Sequence, residues 1–213
     1  MPHTRREYLT ATVGVAGLAA TAGCLGGESA GTDDCTIETE PTVSSLSAPS
    51  LGPADADVSV VAFEDFSCPH CATFSLDVLP EIRSEYVEPG AARFEHRDFP
   101  IPVDERWSWQ AASAARGVQD ETDDTTFFEY AHDLFANQGD YSPRLITDLA
   151  NDAGAPGCAI QADALNETYR PVVSADRESG IESGVEATPT VFVAGRPVEA
   201  TVDAIAAAID AER

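Results

Sequence analysis

The alternation of apolar and polar positions predicts an ordered domain that begins near residue 54. A short apolar run from Val58, Val-Ser-Val-Val-Ala-Phe, is typical of a strand buried on both faces. Apolar positions then recur at helical spacing over 74–86, and 91–99 returns to a strand pattern. This order predicts a βαβ unit with parallel strands and a right-handed crossover. Pro80 lies inside the predicted helix and is expected to kink it.

The residues that follow change to helical periods and predict an inserted helical subdomain over 104–180. Breaks rich in glycine and aspartate divide this segment into about four helices. A strand pattern resumes at Thr190, and the chain closes with a turn, a short second strand and an apolar helical stripe. We therefore predict an α/β fold in which 54–103 and 181–213 form the two halves of one sheet.

The start of the chain has the pattern of an export signal. Arg5 and Arg6 precede an uncharged, Gly/Ala-rich run that is too short and too weakly apolar for a membrane-spanning helix. Paired arginines before a mild apolar segment resemble a twin-arginine signal. The run ends on Thr21-Ala22-Gly23-Cys24, which resembles a lipoprotein cleavage site with Cys24 as the lipid-modified residue.

These patterns predict where the protein works. Residues 1–23 are interpreted as a removed export signal, with a plain signal peptide or an uncleaved anchor as alternatives. Residues 24–53, rich in Gly, Ser, Thr, Pro and acids, predict a flexible tether. The protein is thus expected at the cell surface, held to the outer face of the cytoplasmic membrane by lipidated Cys24.

The net charge of the chain limits the kinds of partner that it can bind. It has 37 acidic and 12 basic residues in 213, a formal net charge of -25, and all of its basic residues are arginine. Such a field repels polyanions and excludes nucleic-acid binding by general charge. The acids are spread along the whole chain, which resembles halophilic archaeal proteins, whose surfaces are screened by high salt. A docking surface for basic partners is the alternative interpretation.

The candidate chemistry lies at the first strand-to-helix junction, in Cys68-Pro69-His70-Cys71. Residues three apart on a helix are about 5–6 Å apart, within the Cα separations that a disulfide tolerates, about 4.4–6.8 Å. Pro69 suits the first helical turn, where a missing N–H has no cost. Cys68 then lies at the helix N-terminus, where unpaired amides and the dipole stabilise a thiolate, and His70 would stabilise it further. A stable thiolate favours the reduced pair, so the disulfide form would be an oxidant.

The order of these features resembles the DsbA family of thioredoxin-fold thiol–disulfide oxidases. The resemblance covers about residues 58–211 and includes Ala187-Thr188-Pro189-Thr190, which precedes the last strands and helix. It implies a thioredoxin-like βαβ…ββα sheet, with Cys68 as the exposed nucleophile and Cys71 as the buried resolving cysteine. It also implies that Thr188-Pro189 is a cis-proline loop that faces the disulfide and pairs with an extended substrate.

The resemblance has one departure, and it also implies partners. The family places a buried acid six residues before its first cysteine, where this chain has Ala62. Proton transfer to or from Cys71 would then use Glu64, Asp65, water or nothing. The implied partners are exported proteins with free cysteines and a quinone-linked membrane protein that reoxidises the pair. No cofactor is expected.

The remaining cysteines and histidines carry weaker signals. Cys35 and Cys158 can pair in an exported protein, and a bridge between them would stabilise the fold by about 4–5 kcal/mol; two free thiols are the other outcome. His96 and His132 each stand alone in the pattern and are interpreted as structural residues.

Three other functions could use the same Cys-x-x-Cys pair. A reductase or isomerase would use the same atoms in the other direction. A zinc site would need a second Cys/His pair at ligand spacing, which the sequence lacks, so no metal is predicted. A metallochaperone could hold Cu(I) between two thiolates alone. Of these four functions, we predict the oxidase.

Overall fold

A computed structural model describes residues 35–39, 41–101 and 103–213 of the chain. The predicted export signal and Cys24 lie outside the described residues. No helix within the described ranges is long and apolar enough to cross a membrane.

The domain is built on one five-stranded mixed sheet in the order β1-β3-β2-β4-β5. The central strand β2 runs parallel to β3 and antiparallel to β4, while β1 and β5 form antiparallel edges. The predicted βαβ unit and the thioredoxin-like sheet are thus confirmed. The strands are β1 Ser50–Leu51, β2 Val58–Glu64, β3 Ala92–Asp98, β4 Thr190–Val193 and β5 Arg196–Val198.

One face of β2 is covered along its whole length, whereas the other is covered only towards its carboxyl end, since Ser59 is exposed and Val61 is half-buried. Val58, Val60 and Ala62 are buried in the main core. Phe63 points to the other face, where it packs edge-on against Phe99 with ring centres 6.1 Å apart. Because β2 is fixed on both faces at its carboxyl end, the residues there have defined positions.

A continuous helical stretch, residues 69–87, follows β2 and is here called the active-site helix. It consists of α1 Pro69–Thr73, a π-helical turn Phe74–Val78, α2 Leu79–Ile82 and a second π-helical turn Arg83–Val87. The first π turn ends two residues before Pro80, and the N–H of Leu79 bonds to the Phe74 carbonyl five residues back. Pro80 has no N–H to donate, so the expected irregularity takes the form of a widened turn and the helix continues.

Five helices, where about four were expected, form the insertion between β3 and β4. Two of them begin at an N-cap residue: the side chains of Asp123 and Ser142 each accept a hydrogen bond from a first-turn N–H. A last helix, α8, covers the sheet after β5. The helices are α3 Trp107–Glu121, α4 Asp124–Ala136, α5 Pro143–Asp152, α6 Gly157–Asn166, α7 Arg170–Glu182 and α8 Val202–Glu212.

The described part of the predicted tether is attached to the domain, which corrects the prediction of a flexible segment through residue 53. Cys35 forms a disulfide with Cys158 at the start of α6. The N–H of Val43 donates to the Thr168 carbonyl, and Leu51 is buried in β1. Composition alone missed this attachment because it depends on contacts with residues more than 40 positions away in the sequence.

Candidate active site

Cys68 and Cys71 lie at the carboxyl end of β2, where the active-site helix begins. Cys68 is the N-cap residue with extended backbone angles, φ -84° and ψ 120°, and Pro69 occupies the first turn, as predicted. Both cysteines are free thiols. Cys68 is only 4% exposed and Cys71 is 0% exposed. Cys68 is therefore the more accessible of the two. The expectation that it is exposed is wrong, because its neighbours cover most of its surface.

The environment of Cys68 favours a thiolate. A hydrogen bond from the Cys71 thiol is the main cause, and Thr188 and the backbone N–H groups of Cys71 and His70 add to it against the opposing effect of burial. Together they lower the pKa of Cys68 to about 5. His70 was expected to act through its imidazole; its side chain is exposed and its amide supplies the interaction.

Cys71 is held in the opposite state. Burial raises its pKa far above the ordinary range, and the hydrogen bond to Cys68 and the negative charge of Glu64 raise it further. The N–H of Asp65 donates to the Cys71 sulfur at 3.4 Å, a weaker opposing influence. The pair is thus asymmetric, with one sulfur suited to leave as a thiolate and the other suited to keep its proton.

Asp65 holds the loop that leads to Cys68. Its carboxylate accepts hydrogen bonds from the Ser67 N–H at 2.8 Å, the Ile101 N–H at 2.7 Å and the Ser108 hydroxyl at 2.9 Å. Burial raises the pKa of Asp65 to about 6 although these bonds oppose the rise. Because it accepts these three hydrogen bonds, Asp65 connects the active-site loop to the residues after β3 and to α3.

Glu64 is the acid nearest to the position that Ala62 leaves vacant in the family pattern. The two residues are two apart on β2 and share its inner face, since successive side chains on a strand alternate. The Glu64 carboxylate accepts a hydrogen bond from the Ser75 hydroxyl at 2.6 Å and lies 3.3 Å from His96 Nδ1. A buried acid is therefore present on the expected face, one step closer to the cysteines.

The sequence analysis missed the buried charged network behind Glu64. His96 is 2% exposed and its Nε2 lies 3.2 Å from Asp98. Burial disfavours the charged imidazole, but hydrogen bonds to Asp98 and Glu64 outweigh it and raise the His96 pKa to about 9. Arg116, fully buried on α3, bonds to both Asp98 and Asp176. His96 is therefore not isolated, as the sequence pattern suggested, because it bridges two acids next to the site.

The alternation of buried and half-buried positions along β3 is the sequence feature that could have indicated this network. Ala92, Phe94, His96 and Asp98 are its buried positions. Two ionisable side chains on a buried face require partners, since an unpaired buried charge is strongly unfavourable. Their partners come from β2, α3 and α7, which the sequence pattern of β3 cannot identify.

The Thr188–Pro189 peptide bond is cis, and it lies beside Cys68. The Cys68 sulfur is 3.4 Å from the Thr188 carbonyl oxygen, although 120 residues separate the two in sequence. The loop directly precedes β4, whose pairing with β2 sets its position. The structure thus brings together Cys68, Cys71 and the two residues that the family resemblance identified.

Two concavities adjoin the site. One groove of about 400 Å³ runs past Ser67 and Pro69 and is walled by Trp107 and Tyr141. A cavity of about 390 Å³ lies between the active-site helix and α4, and it reaches Glu64 and His96. Among the described residues there is no cluster of three or more His, Cys, Asp or Glu side chains that could hold a metal ion.

Known proteins resemble this chain in sequence and in fold. Residues 44–211 match the model of a protein family described as thioredoxin. Disulfide bond formation protein D of Bacillus subtilis is 29% identical over 161 residues, which cover 73% of this chain and 71% of that protein. The crystal structure of oxidised BdbD from Bacillus subtilis superposes with a TM-score of 0.72 at 29% identity, over 78% of this chain and 92% of that one. Chlamydia trachomatis DsbA has a similar fold, with a TM-score of 0.69 at 23% identity, over 82% of this chain and 96% of that one.

Proposed function

Because the chain belongs to the thioredoxin family and is a DsbA-like thiol–disulfide oxidoreductase, we propose that it oxidises cysteine pairs of exported proteins through Cys68 and Cys71. The observation that carries this direction is the asymmetry of the two sulfurs. Cys68 sits at a helix N-terminus with a pKa lowered to about 5, mainly by the Cys71 thiol, whereas burial raises that of Cys71. This asymmetry stabilises the reduced pair and makes the disulfide an oxidant.

The proposed reaction begins with the Cys68–Cys71 disulfide. A substrate thiolate attacks the Cys68 sulfur, and Cys71 leaves and takes up a proton, as its raised pKa requires. A second substrate thiolate then attacks the substrate sulfur of the mixed disulfide and expels Cys68 as a thiolate. Two substrate thiols become one disulfide; the enzyme retains one proton on Cys71, and the other goes to solvent.

The neighbouring residues have separate proposed roles. The backbone of Thr188, held by the cis bond to Pro189, pairs with the extended substrate. Glu64 exchanges the proton of Cys71, since its charge acts on that thiol and its carboxylate lies on the inner face of β2. Asp65 positions the active-site loop, because its carboxylate is already occupied by three donors.

The proposed setting completes the cycle. Lipidated Cys24 would tether the enzyme to the outer face of the membrane, where a membrane redox partner reoxidises the cysteine pair. The absence of lysine and the net charge of -25 support a surface adapted to high salt. We expect loss of structure at low ionic strength, and an unchanged far-UV spectrum between molar and millimolar salt would contradict this part of the proposal.

Trapping variants test the assignment of the two cysteines. Each reduced variant is mixed with a peptide dimer that is joined by one disulfide. In Cys71→Ser the Cys68 thiolate attacks this disulfide and releases one peptide thiolate, and the mixed disulfide should accumulate because no Cys71 thiol is present to resolve it. Cys68→Ser should form none. Equal trapping by both variants would contradict the assignment. The direction is tested by the reduction potential against a glutathione buffer. A potential near about -270 mV, the value for thioredoxin, would indicate a reductase instead.

A further inference from the structure

Two arginines of α7 line an open groove of about 420 Å³ that the oxidase reaction does not use. Arg170 and Arg177 are seven residues apart, so they lie two helical turns apart on the same face. The rest of the groove wall consists of Pro100, Ile101, Glu105 and Trp109.

Both guanidinium groups are held by aromatic rings. The Arg170 guanidinium lies 4.0 Å from the centre of the Trp109 ring and pairs with Glu167. The Arg177 guanidinium lies 5.5 Å from the centre of the Phe99 ring, and its Nε donates to the Pro100 carbonyl oxygen at 3.0 Å. Stacking restricts the plane of a guanidinium but leaves its N–H edge able to bind a carboxylate in a two-point contact.

The charge balance around Arg177 is unusual for this chain. Acidic residues outnumber basic ones by 37 to 12, yet within the described ranges no ion pair joins Arg177 to a carboxylate. By contrast, Arg97 on β3 and Arg116 on α3 are both paired with Asp176. The groove therefore presents a positive group with unused donors inside a strongly negative protein.

The groove adjoins the active-site loop. Ile101 in its wall donates its N–H to Asp65, and Asp65 in turn accepts from the N–H of Ser67, next to Cys68. The groove that runs past Pro69 is lined by Val103, Asp104 and Trp107, whereas Ile101, Glu105 and Trp109 line the groove of the two arginines. The two grooves therefore share one stretch of chain after β3, which a substrate polypeptide would have to follow from Cys68 to reach the arginines.

We propose that the groove between Arg170 and Arg177 is a subsite for an acidic side chain of the polypeptide substrate whose cysteine reacts at Cys68. Arg177 binds the carboxylate, Arg170 adds positive charge that its pair with Glu167 partly offsets, and Glu105 on the rim weakens binding by repulsion. This proposal rests on the proposed oxidase function and adds a preference for substrates with Asp or Glu near their cysteines.

The test compares two dithiol peptides that differ only in carrying glutamates or glutamines a few residues from the cysteines. Turnover is measured with oxidised glutathione as the electron acceptor, at the lowest salt concentration that keeps the native far-UV spectrum, because salt screens the contact. The wild-type enzyme should show a KM about three-fold lower for the acidic peptide, with equal kcat, as expected for a partly exposed ion pair. Arg177→Gln should abolish this ratio. Glu105→Gln should increase it.

The controls separate the possible failures. Arg144→Gln removes an equally charged, exposed residue on α5 and should keep the wild-type ratio. Equal KM values for both peptides in the wild type, or an unchanged ratio in Arg177→Gln, would overturn the subsite while leaving the oxidase function intact. If Arg177→Gln does not fold, two other variants decide the question. Arg170→Gln should decrease the preference for the acidic peptide, and Glu105→Gln should increase it. Failure of the wild type to oxidise either peptide would overturn the oxidase function itself.

Discussion

Replacing Cys71 by alanine removes the thiol that donates to the Cys68 sulfur, the largest single cause of the lowered Cys68 pKa. A hydrogen bond to a charged group contributes about 1.5–3 kcal/mol, and one pH unit corresponds to about 1.4 kcal/mol. We therefore expect the titration midpoint of Cys68 to rise by about one to two pH units in Cys71→Ala.

The assay is the rate of Cys68 alkylation by iodoacetamide as a function of pH, followed on the reduced protein. Two changes should appear together. The midpoint moves to higher pH, and the plateau rate above the midpoint increases about 2.5- to 10-fold, because a more basic thiolate is a stronger nucleophile with a Brønsted coefficient of about 0.4–0.5.

Cys71→Ser is the matched control, since a hydroxyl can still donate to the thiolate. Its midpoint should remain closer to that of the wild type than the midpoint of Cys71→Ala. An alanine variant that still titrates near pH 5 would refute the reasoning, because the helix terminus and Thr188 alone would then account for the thiolate. Equal midpoints in both variants would refute it as well.

Three further variants test the packing behind the site. Arg116→Met leaves two buried carboxylates without their shared cation and should lower the free energy of unfolding by about 3–5 kcal/mol, with a loss below about 1 kcal/mol contradicting this. For His96, a folded-state pKa near 9 against an ordinary 6.5 means stability that is fully present below pH 6.5 and lost through pH 9. The unfolding free-energy difference between wild type and His96→Gln should shrink over that window and not stay constant. In Gly180→Ala the new Cβ would lie 2.6 Å from the Phe99 ring, so denaturant unfolding should show a loss of about 1–3 kcal/mol. An open helical site would instead gain about 0.5–1 kcal/mol.

The parts of the site that the sequence predicts are those governed by local physics. Pro69 and the strand pattern before it place Cys68 at a helix N-terminus, and the structure has it there. The lowered pKa of Cys68 follows from that position only in part, because the Cys71 thiol contributes most. The cis bond at Pro189 was expected from the family resemblance, since no local pattern specifies it.

The parts that the sequence did not predict depend on contacts between distant segments. Glu64 and His96 lie on neighbouring strands, and their partner Arg116 comes from the helical insertion. The attachment of residues 35–53 depends on a disulfide to α6 and on pairing of β1 with β3. These residues are polar, as their composition indicates. Polar residues still take up defined positions when the domain supplies a disulfide or backbone hydrogen bonds to them.

The central position of β2 determines when during synthesis the site can exist. Its partner β4 begins at Thr190, and Thr188 reaches Cys68 across 120 residues of chain. Until those last residues have been made, one edge of β2 lacks its strand and offers unpaired backbone groups for wrong association. The helices of the insertion pack mostly on one another and precede β4 in the chain, so they can fold earlier, whereas closure of the sheet joins β4 to the much earlier β2. A chain that stops before Thr188 would carry both cysteines but not the loop that faces them, so the complete site forms only after the last strands have been made.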